Sequence, residues 1–278
     1  MPGDYRRGAG HGIPRRSGEY LQEKRGPAVK AIIRTEKLGK YFGAMAAVHE
    51  VNLSLQEGLF TSVIGPNGAG KTTLINLLSG FMLPDCGAIY FREKEITRLA
   101  PEKRVKMGIS RSFQVMNIFP RMTVFQNILL AVLSRLDKTS SALSSLQSQK
   151  EAVAEAEKTL GEVWLQEEKD FPAGELSHGD QRLLELGIAV AANPQICFLD
   201  EPSSGMNPIE RIKVLELVKK LAAERKTTFI IVEHDMDIVF SLSDWIVVMN
   251  RGEVLAEGKP GDIRENQEVR DIYLGEEI

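Results

Sequence analysis

A chain of 278 residues, 43% hydrophobic and 26% charged, is long enough to bury a full core, as one large domain or one domain with an inserted lobe. Its formal net charge of −3 creates no field that would gather nucleic acid, so we expect no nucleic-acid partner. Two cysteines, Cys86 and Cys197, are too few for a disulfide framework or a four-ligand zinc site, and they fit a reducing cytosol. No apolar run reaches the roughly 18 residues that a membrane span needs.

Residues 1–29 are rich in Gly, Pro, Arg and Glu and follow neither a helical nor a strand period, which predicts a disordered N-terminal tail. Lysines and arginines outnumber acidic residues in this tail. That excess could favour an anionic membrane surface, although a solvated tail explains it more simply.

Two strands are predicted next, at 32–38 and 48–55, because apolar residues alternate along both segments. They enclose an aromatic loop, 40–43. Tyr41 or Phe42 in this loop could stack on an adenine ring, but a core position would account for either side chain equally well.

A Gly-rich segment with the spacing G-x-x-x-x-G-K-[ST] follows an apolar strand candidate at 60–64 and precedes a helix candidate. The helix pattern places four apolar side chains on one face, those of Leu74, Leu77, Leu78 and Phe81. Glycines let such a loop curl until its backbone N–H groups converge on phosphate, while the lysine reaches the terminal phosphates and the next hydroxyl ligates Mg²⁺. The candidate nucleotide-binding residues are Gly65, Pro66, Asn67, Gly68, Ala69, Gly70, Lys71, Thr72 and Thr73.

Helical patterns dominate from about 93 to 180, including a helix that opens at Pro101, an amphipathic segment at 123–129 and a long polar segment at 144–163. We interpret this region as an inserted helical lobe.

Alternating strands and helices return after the lobe. Strands are predicted at 196–200 and 228–232 with a helix from about 209 to 225 between them, and a hairpin pairs 245–249 with 253–256. This alternation predicts an α/β fold with a mainly parallel sheet.

Two acidic residues, Asp200 and Glu201, end the first of these strands. At the edge of a parallel sheet beside the phosphate loop, Asp200 would hold the water shell of Mg²⁺ and Glu201 would take a proton from the attacking water. His234 follows the next strand and could reach the γ-phosphate at the same edge. A lone histidine between acids is more often an ordinary surface residue, so its interpretation depends on the other motifs.

Ser177 is predicted to cap the helix at 182–192, with Gly179 keeping the backbone open. The N-terminus of a helix can bind an anion, but plain capping is the simpler interpretation of the local sequence.

The motifs described above, taken in their order along the chain, resemble those of the ATP-binding subunit of ABC transporters, and the resemblance extends over residues 31–278. The resemblance identifies 65–72 as Walker A, 176–180 as the signature motif, 196–200 as Walker B and 203–207 as the D-loop. It further identifies Gln114 as the Q-loop glutamine, Glu201 as the catalytic glutamate and His234 as the switch histidine. Phe42 is the best match to the adenine-stacking ring, and Tyr41 is the second.

The resemblance implies a P-loop NTPase with a RecA-like core sheet, an antiparallel β subdomain and the inserted helical lobe, all within residues 30–278. It implies that ATP and Mg²⁺ are the cofactors, the metal being held by Thr72, Gln114 and Asp200.

A head-to-tail dimer is also implied, either a homodimer or a pair with a second ABC ATPase, in which Ser177 and Gly179 contact the nucleotide held by the partner. Membrane permease subunits would hold the chain at the cytoplasmic face of the membrane. An extracytoplasmic solute-binding protein would act with it indirectly.

Several segments look like the branched-chain amino acid importers of the LivG type, namely 108–114, 118–124, 205–208, 257–260 and 273–276. His178 is similar to the signature of the urea-type importers, which are the close alternative, and Asp180 stands where glutamine is usual. A soluble ABC-type ATPase of chromosome maintenance or translation would carry coiled-coil arms or a tandem second ATPase domain, and neither occurs in this chain. The signature motif argues against a third interpretation, a P-loop kinase.

Overall fold

The computed structural model describes residues 30–111, 118–137, 149–224 and 226–273. The strands in these ranges are β1 (Ala31–Phe42), β2 (Met45–Val51), β3 (Ser54–Gln56), β4 (Thr61–Ile64), β5 (Cys86–Phe91), β6 (Lys94–Glu95), β7 (Ile109–Arg111), β8 (Ile196–Asp200), β9 (Thr228–Val232), β10 (Trp245–Asn250) and β11 (Glu253–Gly258). The helices in the same ranges are α1 (Lys71–Ser79), α2 (Pro101–Lys106), α3 (Val124–Arg135), α4 (Lys150–Glu162), α5 (His178–Ala191), α6 (Pro208–Ala223), α7 (Met236–Leu242), α8 (Pro260–Glu265) and α9 (Gln267–Tyr273). None of the described helices is both long and apolar enough to cross a membrane.

The larger sheet has the strand order β11-β10-β4-β9-β8-β7. Its neighbouring strands are parallel except β10 and β11, which form the predicted antiparallel hairpin. Every residue of β4, β8 and β9 is buried, as expected for parallel strands that are covered on both faces. The prediction of a mainly parallel sheet is thereby confirmed.

The smaller sheet is antiparallel, with the order β2-β1-β5-β6 and with β3 also paired to β1. The prediction of a loop at 40–43 is wrong, because β1 continues through Phe42 and pairs with β2. The chain turns only at Gly43 and Ala44, and the φ of 61° at Gly43 is an angle that glycine adopts without strain.

Helix α1 begins where predicted and buries Leu74, Leu77 and Leu78. The prediction that Phe81 shares this face is wrong, because Phe81 lies beyond the end of the helix and is 50% exposed. Gly80 ends the helix: its φ is 88°, and its N–H donates to the carbonyl of Leu77 at 3.2 Å.

Helices α3, α4 and α5 pack on one another and α6 packs on α5, so that their apolar faces form one cluster with residues of β8 and β9. Thr123 caps α3 through a reciprocal pair of hydrogen bonds with Gln126. Strand β7 falls within the range 93–180 that was predicted as the helical lobe, yet it pairs with β8 in the larger sheet. Ile109 is buried in a hydrophobic cluster with residues of β8 and β9, and this burial favours its place in the sheet.

The guanidinium of Arg104, on α2, is fully buried. It donates hydrogen bonds of 2.7 to 3.1 Å to five backbone carbonyls, those of Leu77, Leu78, Ile96, Thr97 and Leu99. Two of these carbonyls belong to the last turn of α1, and that of Leu77 also accepts from the N–H of Gly80. Burial lowers the pKa of Arg104 to about 10, so the side chain remains charged at neutral pH. Arg104 therefore fixes the end of α1 to the segment that follows β5.

We predict that Arg104→Met destabilises the protein by about 3 kcal/mol or more, since each buried carbonyl left without a donor costs about 1–3 kcal/mol. Urea unfolding measures this free energy. Arg98→Met is the matched control, because Arg98 is exposed and its loss should change the free energy by no more than about 0.5 kcal/mol. Equal stabilities of the two variants would contradict a structural role for the buried guanidinium.

Candidate functional site

The segment between β4 and α1 curls back on itself around the side chain of Lys71. Lys71 is buried, and its Nζ donates to the carbonyls of Gly65 and Pro66 at 2.7 and 3.1 Å. The N–H of Ala69 donates to the same carbonyl of Pro66 at 3.1 Å. Burial lowers the pKa of Lys71, and the charges of Glu201 and Asp200 oppose that shift. The loop is curled in the way that phosphate-binding loops are, and the ammonium group of its lysine is held by the carbonyls of the loop itself.

Neighbouring backbone approaches this loop so closely that two of its positions exclude a side chain. A Cβ on Gly65, whose φ is 150°, would lie 2.2 Å from the carbonyl oxygen of Met249. A Cβ on Gly70, whose φ is 99°, would lie 2.1 Å from the carbonyl oxygen of Ala47. The spacing of glycines in the motif therefore has a steric cause in β2 and β10 as well as in the loop itself.

The ends of β8 and β9 bring Glu201 and His234 together. Asp200 pairs with Val232 across these strands, and the N–H of Glu201 donates to the carbonyl of Val232 at 3.0 Å. His234 Nε2 and Glu201 Oε1 then share a hydrogen bond of 2.8 Å. Glu201 has a φ of 48°, a left-handed conformation that costs a non-glycine residue energy and is concentrated at functional sites.

Asp200 lies deeper in the same edge, with its side chain 1% exposed. Its Oδ2 accepts a hydrogen bond from Nη2 of Arg111 at 3.0 Å, whereas its buried Oδ1 has no hydrogen-bond partner. Burial raises the pKa of Asp200, and the adjacent Arg111 guanidinium opposes that shift. The sequence predicted no role for Arg111, because β7, the short strand that ends at Arg111, lies in the range that was predicted to be helical.

Glu233 is a second buried acid at this edge, and unlike Asp200 it was given no role from the sequence. Its Oε1 accepts a hydrogen bond from the hydroxyl of Ser203 at 2.7 Å, and its Oε2 accepts one from the N–H of His234 at 3.3 Å. Burial raises the pKa of Glu233. The carboxyl group therefore connects the segment after Glu201 to the backbone of His234. Its sequence signal was an acid directly after a run of four apolar residues, 229–232.

Ser177 caps α5 as predicted, because its hydroxyl accepts from the N–H of Asp180 at 3.1 Å. The predicted start of this helix at 182 is wrong, because α5 begins at His178, directly after the cap. Gly179 differs from the expectation of an open backbone: it is buried, and its N–H donates to Oε1 of Glu210 at 3.3 Å. The cause is the packing of α6 on α5, which lays the Glu210 side chain over the first turn of α5.

The two aromatic candidates differ in their surroundings. The hydroxyl of Tyr41 lies 3.1 Å from Nδ1 of His49. The ring of Phe42 is 46% exposed, with the Lys40 ammonium 5.9 Å from its centroid. The remaining predicted site residue, Gln114, lies outside the described residues.

Comparison with known proteins decides the family. The profile of the ABC transporter family matches residues 48–204, and that of the branched-chain amino acid ATP-binding cassette transporter family matches 253–278. The high-affinity branched-chain amino acid transport ATP-binding protein BraF of Pseudomonas aeruginosa is 40% identical over 254 residues, which cover 89% of this chain and 99% of BraF. The corresponding protein LivG of Escherichia coli is 40% identical over 243 residues, covering 84% and 94%.

The chain belongs to the ABC transporter ATP-binding proteins. Solved cassettes of ABC transporters have the same fold. A nucleotide-free cassette has a TM-score of 0.76 at 36% identity, covering 88% of this chain and 100% of that cassette. A dimeric bacterial cassette has a TM-score of 0.69 at 27% identity, covering 82% and 98%. The predicted P-loop NTPase fold is thereby confirmed, and this ABC protein is an ATPase that binds ATP.

We predict that Gly70→Ala destabilises this ABC protein by more than about 3 kcal/mol without nucleotide, because a backbone carbonyl must move to admit the new Cβ. Gly58→Ala is the matched control: Gly58 also has a positive φ, of 75°, but a Cβ there meets nothing within 4 Å. It should therefore cost only the left-handed strain of about 1–2 kcal/mol. Thermal and urea unfolding measure both. Equal costs would show that the approach of β2 does not constrain the loop.

Proposed function

We propose that this ABC ATPase energises an importer of branched-chain amino acids. The observation that carries the proposal is the match of 253–278 to the branched-chain amino acid cassette profile. The 40% identity to BraF and LivG, which are named for transport of these amino acids, supports it. Those similarities extend over nearly the full length of both relatives.

The arrangement at the carboxyl edge of the larger sheet supports the roles that we propose for the site residues. Residues 65–73 would hold the phosphates, with Lys71 turning from the loop carbonyls to the terminal phosphates. Glu201 would accept the proton of the attacking water, and its hydrogen bond to His234 would orient it while His234 contacts the γ-phosphate. Phe42, with its exposed ring, would stack on the adenine.

Mg²⁺ fits the same edge. The buried Oδ1 of Asp200 has no hydrogen-bond partner, and Thr72 is exposed in the first turn of α1. In the described part of the chain no group of three His, Cys, Asp or Glu side chains is arranged to hold a metal. Thr72, Asp200 and Gln114 would therefore hold the ion together with nucleotide phosphates, as is usual for Mg²⁺. When bound, the ion would neutralise phosphate charge.

Ser177 and Gly179 would contact the nucleotide of a second ABC subunit, either identical or similar. A phosphate can reach the N–H of Gly179 only if the carboxylate of Glu210 leaves it. Closure of the dimer would be transmitted to membrane permease subunits, which place the chain at the cytoplasmic face of the membrane, and an extracytoplasmic binding protein would deliver the solute.

We predict that Glu201→Gln retains ATP binding but lowers hydrolysis by at least about 100-fold, since the amide cannot accept the proton. Phosphate release measures turnover, and gel filtration with ATP should detect a stabilised dimer. Glu151→Gln, an exposed acid on α4, is the matched control and should hydrolyse ATP at the wild-type rate. A wild-type rate for Glu201→Gln would remove Glu201 from the role of base.

We predict that complexes captured from membranes through the tagged chain contain permease subunits and, in proteoliposomes with the binding protein and ATP, accumulate leucine rather than urea. The same complex carrying Glu201→Gln supplies the background level, because its transport would not be driven by hydrolysis. Accumulation of urea alone would contradict the amino acid assignment. Recovery only with ribosomes or chromatin would contradict transport.

A further inference from the structure

The side chain of Arg111 joins the strand that carries Asp200 to the helix that follows the phosphate loop. Its Nη2 donates to Oδ2 of Asp200 at 3.0 Å, and the two side chains are 7% and 1% exposed. Its Nη1 donates to Oδ1 of Asn76 and lies 3.5 Å from the hydroxyl of Ser79, both on α1. The planar guanidinium thus contacts β8 and α1 at once, which a single ammonium group cannot do with the same geometry.

The pairing holds one oxygen of Asp200 and leaves the other available. Oδ2 is engaged by Arg111, while the buried Oδ1 has no hydrogen-bond partner. A group that hydrogen-bonds to a metal ligand fixes the orientation of that ligand, and loss of the group typically weakens metal binding. The carbon of the guanidinium also lies over the Phe81 ring, 5.6 Å from its centroid.

We propose that Arg111 is a positioning residue that holds Asp200 in the orientation needed for Mg²⁺ and fixes its separation from α1. This inference rests on the proposed function, because it takes Asp200 as a magnesium ligand. Arg111 acts through Asp200 and touches no reacting atom.

Electrostatics alone predicts the opposite effect. Removing a positive charge beside Asp200 would strengthen the attraction of its carboxylate for Mg²⁺. Removing an orienting hydrogen bond would weaken magnesium binding instead. If Arg111 positions Asp200, its replacement raises the Mg²⁺ concentration that gives the half-maximal effect. If Arg111 only competes with Mg²⁺ through its charge, its replacement lowers that concentration.

The test uses the full chain with Arg111→Met and Arg111→Lys. A fluorescent ATP analogue is titrated first in EDTA and then with Mg²⁺ at a fixed analogue concentration, so that binding is measured without hydrolysis. Arg135→Met is the matched control, because Arg135 pairs with Glu155 in the helical lobe, away from Asp200. Urea unfolding of each variant records the purely structural effect.

We expect Arg111→Met to bind the analogue in EDTA like the wild type but to need about 10- to 100-fold more Mg²⁺ for the half-maximal magnesium effect. Arg111→Lys should lie between the two, and Arg135→Met should keep the wild-type midpoint. If Arg111→Met does not fold, Arg111→Lys decides by the same criterion against Arg135→Lys.

An unchanged or lowered magnesium midpoint in the folded Arg111 variants would overturn the inference. Asp200→Asn separates the two levels of the argument. If it abolishes the magnesium effect while the Arg111 variants leave it unchanged, only the positioning role fails. If Asp200→Asn leaves the magnesium effect unchanged, the proposed magnesium site itself fails, and with it the inference.

Discussion

Burial of β4, β8 and β9 over their whole length confines the acidic side chains of these strands and of the residues that follow them to one edge of the sheet. A charged side chain in the middle of such a strand would lose its hydration without gaining a partner. Because these three strands are parallel neighbours, their carboxyl ends meet. Asp200 is the last residue of β8, and the phosphate loop, Glu201 and His234 follow the ends of the three strands, which brings together residues that are far apart in sequence.

Concentrating acids at a buried edge requires compensation of their charge. Lys71 and Arg111 face Asp200 from the loop and from β7, and each opposes the effect of burial on the pKa of Asp200. Burial lowers the pKa values of Lys71 and Arg111, and the negative charge of Asp200 opposes this shift in both. The edge is therefore a mutually dependent set of charges, in which removal of one cation leaves a buried acid under-compensated.

Local patterns predicted the phosphate loop, the acids after β8 and the parallel sheet, because each of them depends on residues adjacent in sequence. Arg111 and Glu210 could not be predicted in the same way, since their partners lie 89 and 31 residues away. Phe81 was misplaced because a helical spacing cannot show that Gly80 stops the helix. The loop at 40–43 was misassigned because strand pairing with β2 is not encoded in its own composition.

The structure also shows how the first turn of α5 accommodates the acid Asp180. One oxygen of Asp180 accepts from the Ser177 hydroxyl at 2.9 Å, and the other pairs with the ammonium of Lys213 at 2.7 Å. Lys213 lies one turn from Glu210 on α6, so α6 supplies both a cation for Asp180 and an acid for the N–H of Gly179. Because two negative groups already share this end of α5, a phosphate that approached the N–H of Gly179, as proposed, would have to displace the Glu210 carboxylate. Under the proposed function, the charges of α6 would thus affect whether this end of α5 can accept a nucleotide.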